Sequence, residues 1–439
     1  MTSQRIFALG SVGAILVAGG TALFACEGPE GPPGATVFVE AGTGVTGPAG
    51  PAGAPGPSGL ASTDGGLTAS CMLPCHGFKG VVEQWKTSTH YFGVIANTDE
   101  VPTWTTAGAP CAGCHAGDGL EQRLAGNVGV AAGFSAPTGL ASGEITYKKG
   151  ASTGEITYAG QSKVAIISCL TCHDITAAND PHITGANYTA GTFKMRVKAG
   201  PTDEMLIEKS SAPGVVDGTP AGKWGASNTC IACHKSRKDV TNFILPGASV
   251  LLTSTYWGPH EAPQADIFSG KGGYHYAGKT FNNSTHQSVA GCASCHMVKV
   301  AANGNIPDHS MRPTVATCAA AGCHANVTSF DVQGGQGVVK AALGELEGLL
   351  AGINALTRST TAPYIPITVT ELADKHYELD KTMPGTTLTD LQAGALYNHL
   401  LIARGSGWGV HNPTYTKELL FDSISQLKGA APNAIPTRP

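Results

Sequence analysis

The sequence predicts a fold that is mostly irregular and α-helical, with a few short β-hairpins and a group of C-terminal helices. Three observations predict it. Six short stretches in which a cysteine pair runs straight into a histidine are spread between residues 71 and 324. The composition is poor in core-forming side chains, with 6% aromatic and 13% charged residues but 59 glycines and 27 prolines in 439 residues. That makes a thin side-chain core for the length. After residue 335 the texture changes, and apolar residues recur at helical spacing.

The six stretches carry the chemistry. The strict pattern Cys-x-x-Cys-His occurs at Cys111, Cys114 and His115, at Cys169, Cys172 and His173, at Cys230, Cys233 and His234, and at Cys292, Cys295 and His296. Expanded forms occur at Cys71, Cys75 and His76 and at Cys318, Cys323 and His324. The strict pattern is the attachment signature of c-type haem. Two thiols bond to the vinyl groups, and the adjacent His is held against the iron as proximal ligand. The longer loops leave the second Cys and its His adjacent, as that geometry needs. Of 13 cysteines, twelve fall in these pairs and the thirteenth is Cys26. Disulfides would account for an even cysteine count but not for a His ending every pair. Structural zinc would take its four ligands from two pairs, again without an obligatory adjacent His. Six covalently bound haems c are therefore expected. The fold class becomes a multihaem cytochrome fold wrapped around six haems, whose flat apolar plates supply much of the core.

Taken in order, residues 1–26 read as a lipoprotein signal segment. Arg5 is a minimal positive region, Ile6 to Phe24 is apolar, and Leu23-Phe24-Ala25-Cys26 resembles a bacterial lipobox, making Cys26 the lipidation site. An ordinary signal peptide and a retained anchor are the alternatives, since the run is nearly long enough to span a membrane. More than one acyl chain on Cys26 would anchor stably where a single chain is marginal. Residues 27–60 keep glycine at a period of three, as in Gly47-Pro48-Ala49-Gly50, a collagen-like linker. Its two runs are short and out of frame, so a semi-extended spacer is expected rather than a triple helix.

Residues 61–335 form the multihaem domain. Gly-Glu-Ile-Thr-Tyr at 143–147 and again at 154–158 alternates apolar and polar residues around a Lys-Lys-Gly turn, predicting a β-hairpin over 143–165. Thr192–Lys198 reads as a further strand-like piece. In the C-terminal helical region, 336–439, the stripe Val339, Ala342, Leu343, Leu346, Leu349, Leu350, Ile353 and Leu356 predicts one helix. A second is expected from Leu388 to Ala403. A third opens at Asn412-Pro413, a capping residue followed by proline at the first helical position, and runs to about Leu427. Their apolar stripes are packing faces, either against the haem domain or in a homo-oligomer.

Nine histidines remain beyond the six proximal ones. Context selects His90, His286, His309 and His411, then His182 and His260, as distal ligands. His275, His376 and His399 are the expected bystanders, and Met297 is expected to be core filler.

The run Ser284-Thr285-His286, Cys292–His296-Met297, Asp308-His309-Ser310 and Cys318–His324 resembles the central part of the multihaem superfamily that includes cytochrome c nitrite reductase, hydroxylamine oxidoreductase and octahaem tetrathionate reductase. Trp85–His90 resembles a W-x-x-S-x-H element of such cytochromes, and Gly409-Val410-His411-Asn412-Pro413 their late distal-histidine element. The Gly/Pro spacer behind a lipid anchor is similar to that of surface lipoprotein cytochromes. The resemblance implies closely packed haems over residues 71–425. It departs in one respect: the nitrite reductase active-site motif ends in Lys, and all six motifs here end in His. His260, in Pro259-His260-Glu261, lies where those enzymes place a catalytic His.

Two functions follow as expectations. The first is a hexahaem electron carrier at the bacterial cell envelope, lipid-anchored at the outer membrane or cell surface, passing electrons along bis-His haems to other redox proteins or extracellular acceptors. The alternative is a reductase of a nitrogen or sulfur oxyanion with one open-site haem, the first site being the candidate, and His260 as its catalytic residue beside His275, Tyr274 and Tyr276. A formal charge of −4 with no basic, aromatic-interleaved stretch gives no sign of nucleic-acid binding.

Overall fold

The computed structural model describes residues 75–76, 80–91, 112–115, 120, 144–149, 152–157, 167–183, 193–197, 225–289, 291–300, 306–319, 322–357 and 382–439. All belong to a unit running Asp64–Pro439. Segments 1–26 and 27–60 with Cys26, the motif cysteines Cys71 and Cys111, and His376 lie outside the described residues.

In chain order the helices are α1 (Val81–Lys86), α2 (Ala112–His115), α3 (Cys169–Cys172), α4 (Ser227–Ile231), α5 (Gln264–Ser269), α6 (Thr285–Val289), α7 (Cys292–His296), α8 (Val315–Cys318), α9 (Gly335–Gly352), α10 (Asp390–Gly405) and α11 (Pro413–Lys428). The strands are β1 (Glu144–Lys149), β2 (Ser152–Thr157), β3 (Val250–Leu251), β4 (Lys299–Val300), β5 (Ile306–Pro307) and β6 (Thr387–Leu388). They pair antiparallel as β1–β2, β3–β6 and β4–β5. Most of the other described residues are irregular or in single helical turns. Among the described residues no helix is long and apolar enough to cross a membrane.

The β1–β2 hairpin forms from the repeated pentapeptide, with Ile145 opposite Ile156 and Thr146 opposite Glu155. Of the strand-like piece expected at 192–198, the described residues 193–197 make no named strand. Met195 makes one isolated bridge to His173, because its neighbour is the turn that closes the third motif and not a second extended run. The segment braces that turn instead: Asp174 N–H donates to Lys194 O and Arg196 N–H to Cys172 O, each at 2.8 Å.

The three long helices build the main core. Val339, Leu343, Leu346 and Leu350 of α9, Leu396, Leu400 and Leu401 of α10, and Leu419, Leu420 and Ile424 of α11 are wholly buried. Ile244, Leu252, Trp257 and Ile267 join the same cluster, so the C-terminal helices share one interior with residues 244–267. Helix α10 starts at Asp390 rather than Leu388 because Thr389 caps it: Thr389 Oγ1 accepts from Gln392 N–H, and Gln392 Oε1 accepts from Thr389 N–H. Leu388 is left to pair with Val250 in β6–β3. Helix α11 opens at Pro413 and ends on Gly429, whose φ of 72° is the left-handed conformation that closes helices.

Candidate functional site

The cysteine–histidine motifs are built as single turns of chain. His173 N–H donates to Cys169 O at 2.8 Å and His234 N–H to Cys230 O at 2.9 Å, so the third and fourth motifs close on their first cysteine. In the expanded sixth motif His324 N–H donates to Cys318 O at 3.0 Å. The two extra residues therefore leave the closing bond unchanged, and the chain returns through Gly322 at a φ of 84°. None of the ten described cysteines is in a disulfide. Among the described residues no three His, Cys, Asp or Glu side chains cluster as ligands of a bare metal ion.

The histidines pair across the fold. Ring centres lie 6.0 Å apart for His76 and His182, 6.3 Å for His173 and His309, 5.9 Å for His234 and His90, 6.4 Å for His296 and His411, and 5.9 Å for His324 and His286. Every one of these pairs joins a motif histidine to a histidine outside the motifs. Metal–nitrogen bonds of about 2.0 Å, with about 1.1 Å from each nitrogen to its ring centre, would put two imidazoles on opposite sides of one metal about 6.2 Å apart. The five spacings fit two rings held on opposite sides of one iron.

Ring orientation agrees. His286 donates its Nδ1–H to Val410 O at 2.6 Å, His309 to Pro307 O at 2.7 Å and His296 to Met311 O at 3.0 Å. His234 donates Nδ1–H to Gln264 Oε1 at 3.2 Å, and His182 to Asp180 Oδ1 at 2.9 Å. A proton fixed on Nδ1 leaves Nε2 as the ligating nitrogen. Burial, with the nearby His234, His115 and His296 rings, pushes His90 down to about 4. Burial beside His296, His234 and His286 does the same to His411. Both rings are thereby neutral at pH 7, the form that binds iron.

The sites are neighbours. Cys75 acts electrostatically on Cys169, and Cys172 on Cys230. Cys230 hydrogen-bonds to Cys292, Ser227 Oγ accepts from Ala293 N–H at 3.3 Å, and Cys318 and Cys323 act on Cys295. The series therefore runs first, third, fourth, fifth, sixth site, with His115 of the second beside His90. Leu170, Ile183, Val289 and Val410, which lie next to the motif and partner histidines, are exposed apolar side chains. Flat porphyrin faces are the kind of surface that would cover them.

Five of the six selected distal histidines thus face a motif histidine. His260 donates Nδ1–H to Glu261 O at 2.8 Å and lies 3.9 Å from the Glu261 carboxylate, with Arg404 beside it. No ring pair with a motif histidine is seen for it among the described residues. His275 is engaged elsewhere: Tyr415 OH, which accepts from Gly273 N–H, donates to His275 Nε2 at 2.8 Å, and the ring stacks on Phe281 at 4.1 Å. His399 is wholly buried in α10. Sequence reasoning did not single out Met311, Gln264 or Asp180, which stand behind the imidazoles. Single polar or thioether residues in loops carry no periodic signal.

No protein-family model and no curated protein matches the chain. Among solved structures, the outer cell wall cytochrome OcwA matches at 16% identity with a TM-score of 0.38, over 80% of this chain and 50% of that one. The chain thus spans about half the length of that protein, and at this similarity neither fold nor activity carries over from it.

Proposed function

We propose that this chain is a multihaem c-type cytochrome that carries electrons at the bacterial cell envelope. The observation that carries the reading is the set of five histidine pairs, 5.9–6.4 Å between ring centres, each built from one motif histidine and one distant histidine. The residues that would hold the groups are the twelve motif cysteines as thioether donors and His76, His115, His173, His234, His296 and His324 as proximal ligands. His182, His309, His90, His411 and His286 would complete the first, third, fourth, fifth and sixth sites. Haem iron bound this way takes up and releases one electron at a time, with its axial ligands setting the potential.

The protein's own part is positional. The motif turns hold the attachment points, Nδ1 acceptors orient His286, His309, His296, His234 and His182, and burial keeps His90 and His411 neutral. With a histidine from each side at five sites, those residues would leave substrate no place at the iron, which favours a carrier over a reductase. The thiols of five motifs, all but the second, act on those of a neighbouring motif, as a conduit requires. Lipid attachment through Cys26 and the 27–60 spacer would place it at a membrane surface, facing redox partners or external acceptors.

Mass spectrometry of the denatured chain should find six covalently bound haems, and electron paramagnetic resonance of the oxidised protein should be dominated by low-spin iron. A chain without bound tetrapyrrole would end the reading. A high-spin signal that shifts on adding nitrite or hydroxylamine would replace it with the reductase.

A further inference from the structure

The groups standing behind the paired imidazoles are not equivalent. Behind His286, His309 and His296 stand the backbone carbonyls of Val410, Pro307 and Met311, and behind His234 the amide oxygen of Gln264. All four acceptors are uncharged. His182 has a carboxylate: Asp180 Oδ1 takes the ring Nδ1–H at 2.9 Å and also the backbone N–H of His182 at 2.9 Å. Pro181 between them fixes the intervening φ, so the ring and its acceptor are held on one short rigid loop. The ring centre of His182 faces that of His76 at 6.0 Å.

We infer that Asp180 is a positioning residue that sets the electron affinity of the first haem site. An imidazole whose outer N–H is held by a carboxylate is a stronger donor through its other nitrogen than one held by a neutral carbonyl. A stronger donor, with a negative charge beyond it, favours the ferric over the ferrous state, and hydrogen bonding behind the ligands is one of the levers that set haem potential. The first site therefore gives up its electron more readily than it would with a neutral acceptor behind His182. The inference rests on the ligand reading above and adds to it an end of the series that is biased toward electron donation. The side chain of His182 is 73% exposed, so water can replace a lost acceptor and the substitution that tests the idea need not disturb the fold.

The test is an optical redox titration of the full haem-loaded protein and its Asp180→Asn variant, with dithionite and ferricyanide as reductant and oxidant. Asparagine keeps the shape and an acceptor oxygen but removes the charge. Haem number by mass and the low-spin spectrum should stay as in the wild type, while one titrating component moves to higher potential and the others hold. His182→Ala identifies the component, since it should alter the same one and convert that iron to high spin. Superimposable titrations of Asp180→Asn and wild type, at equal haem number and spin state, would overturn the inference alone. So would a shift in a component that His182→Ala leaves untouched. Absence of haem from the peptide carrying Cys75 would overturn the ligand reading beneath it, a separate and recognisable result.

Discussion

Val410 O accepts the Nδ1–H of His286 at 2.6 Å, one residue before His411, whose own ring faces His296. One tight turn thereby serves two histidine pairs, supplying a ring opposite His296 and a backbone acceptor for His286. It turns this closely because Gly409 sits at a φ of 88°, a conformation open to glycine, and because Gly407 has no side chain. A Cβ on Gly407 would run into the His411 imidazole. Gly407→Ala should therefore push His411 off its iron. One of six irons should become high-spin by electron paramagnetic resonance while haem content by mass is unchanged. A spectrum unchanged from the wild type would show that the turn absorbs the methyl group.

Next in the chain, Asn412 is wholly buried and spends its amide on three segments. Its Nδ2 donates to Ile267 O, Phe268 O and Asn283 Oδ1, and its Oδ1 accepts from Ser284 N–H at 2.9 Å. It thus fastens the end of α5 and the start of the chain leading to His286 onto the head of α11. Asn412→Ala strands several buried partners at once, and each stranded group costs about 1–3 kcal/mol. A clear drop in the denaturant midpoint followed by circular dichroism is expected. A midpoint within error of wild type would mean water enters and takes over those bonds.

The division between ligands and bystanders gives a paired prediction. His275 has its Nε2 occupied by the Tyr415 hydroxyl, whereas His309 holds Nε2 clear by donating Nδ1–H to Pro307 O and is anchored through its backbone N–H on Gln84 Oε1 at 2.9 Å. His275→Phe should leave the spin-state spectrum as in the wild type, since a second ring can stack on Phe281 in its place. His309→Ala should convert one iron to high spin. The reverse pattern would reassign the third site.

The Cys/His motifs of the candidate site were legible in the sequence because their spacing is local, and local spacing is what a sequence displays. The long C-terminal helices were legible for the same reason, through the Val339-to-Leu356 stripe and the Asn412-Pro413 start. What was not legible is relational. His182 follows the third motif closely but faces His76 of the first, and His90 faces His234 across 144 residues of chain. No periodicity encodes such pairs, because they are set by how irregular segments lie against one another. The joint core of Ile244, Leu252, Trp257 and Ile267 with α9–α11 was hidden likewise. Those residues lie in short, aperiodic stretches whose burial depends on distant helices.

The last residues of the chain bear on the sites as well. Arg438 donates from Nε and Nη2 to the Asp422 carboxylate at 3.0 Å, from Nη1 to Glu418 Oε1 at 3.3 Å, and from Nη2 to Thr280 O at 2.6 Å. The side chains of Glu418 and Asp422 are 0% and 2% exposed. Glu418 in turn accepts from the backbone N–H and side chain of Asn282 at 2.7 and 2.8 Å, just before the segment that carries His286. Arg438→Ala would leave two buried carboxylates facing each other without their cation, and breaking such a pair costs about 3–5 kcal/mol when fully enclosed. Arg438 is 22% exposed, so solvent recovers part of that, and a loss of about 2 kcal/mol is expected. Arg438→Lys should recover little, because an ammonium cannot reproduce the fork on Asp422. Thermal unfolding of both variants, read beside the room-temperature spectrum, checks the idea: the midpoint should fall in each while the spin-state spectrum stays as in the wild type. An unchanged midpoint in Arg438→Ala would show that the clasp is ornamental and that α11 holds the 280–284 segment without it.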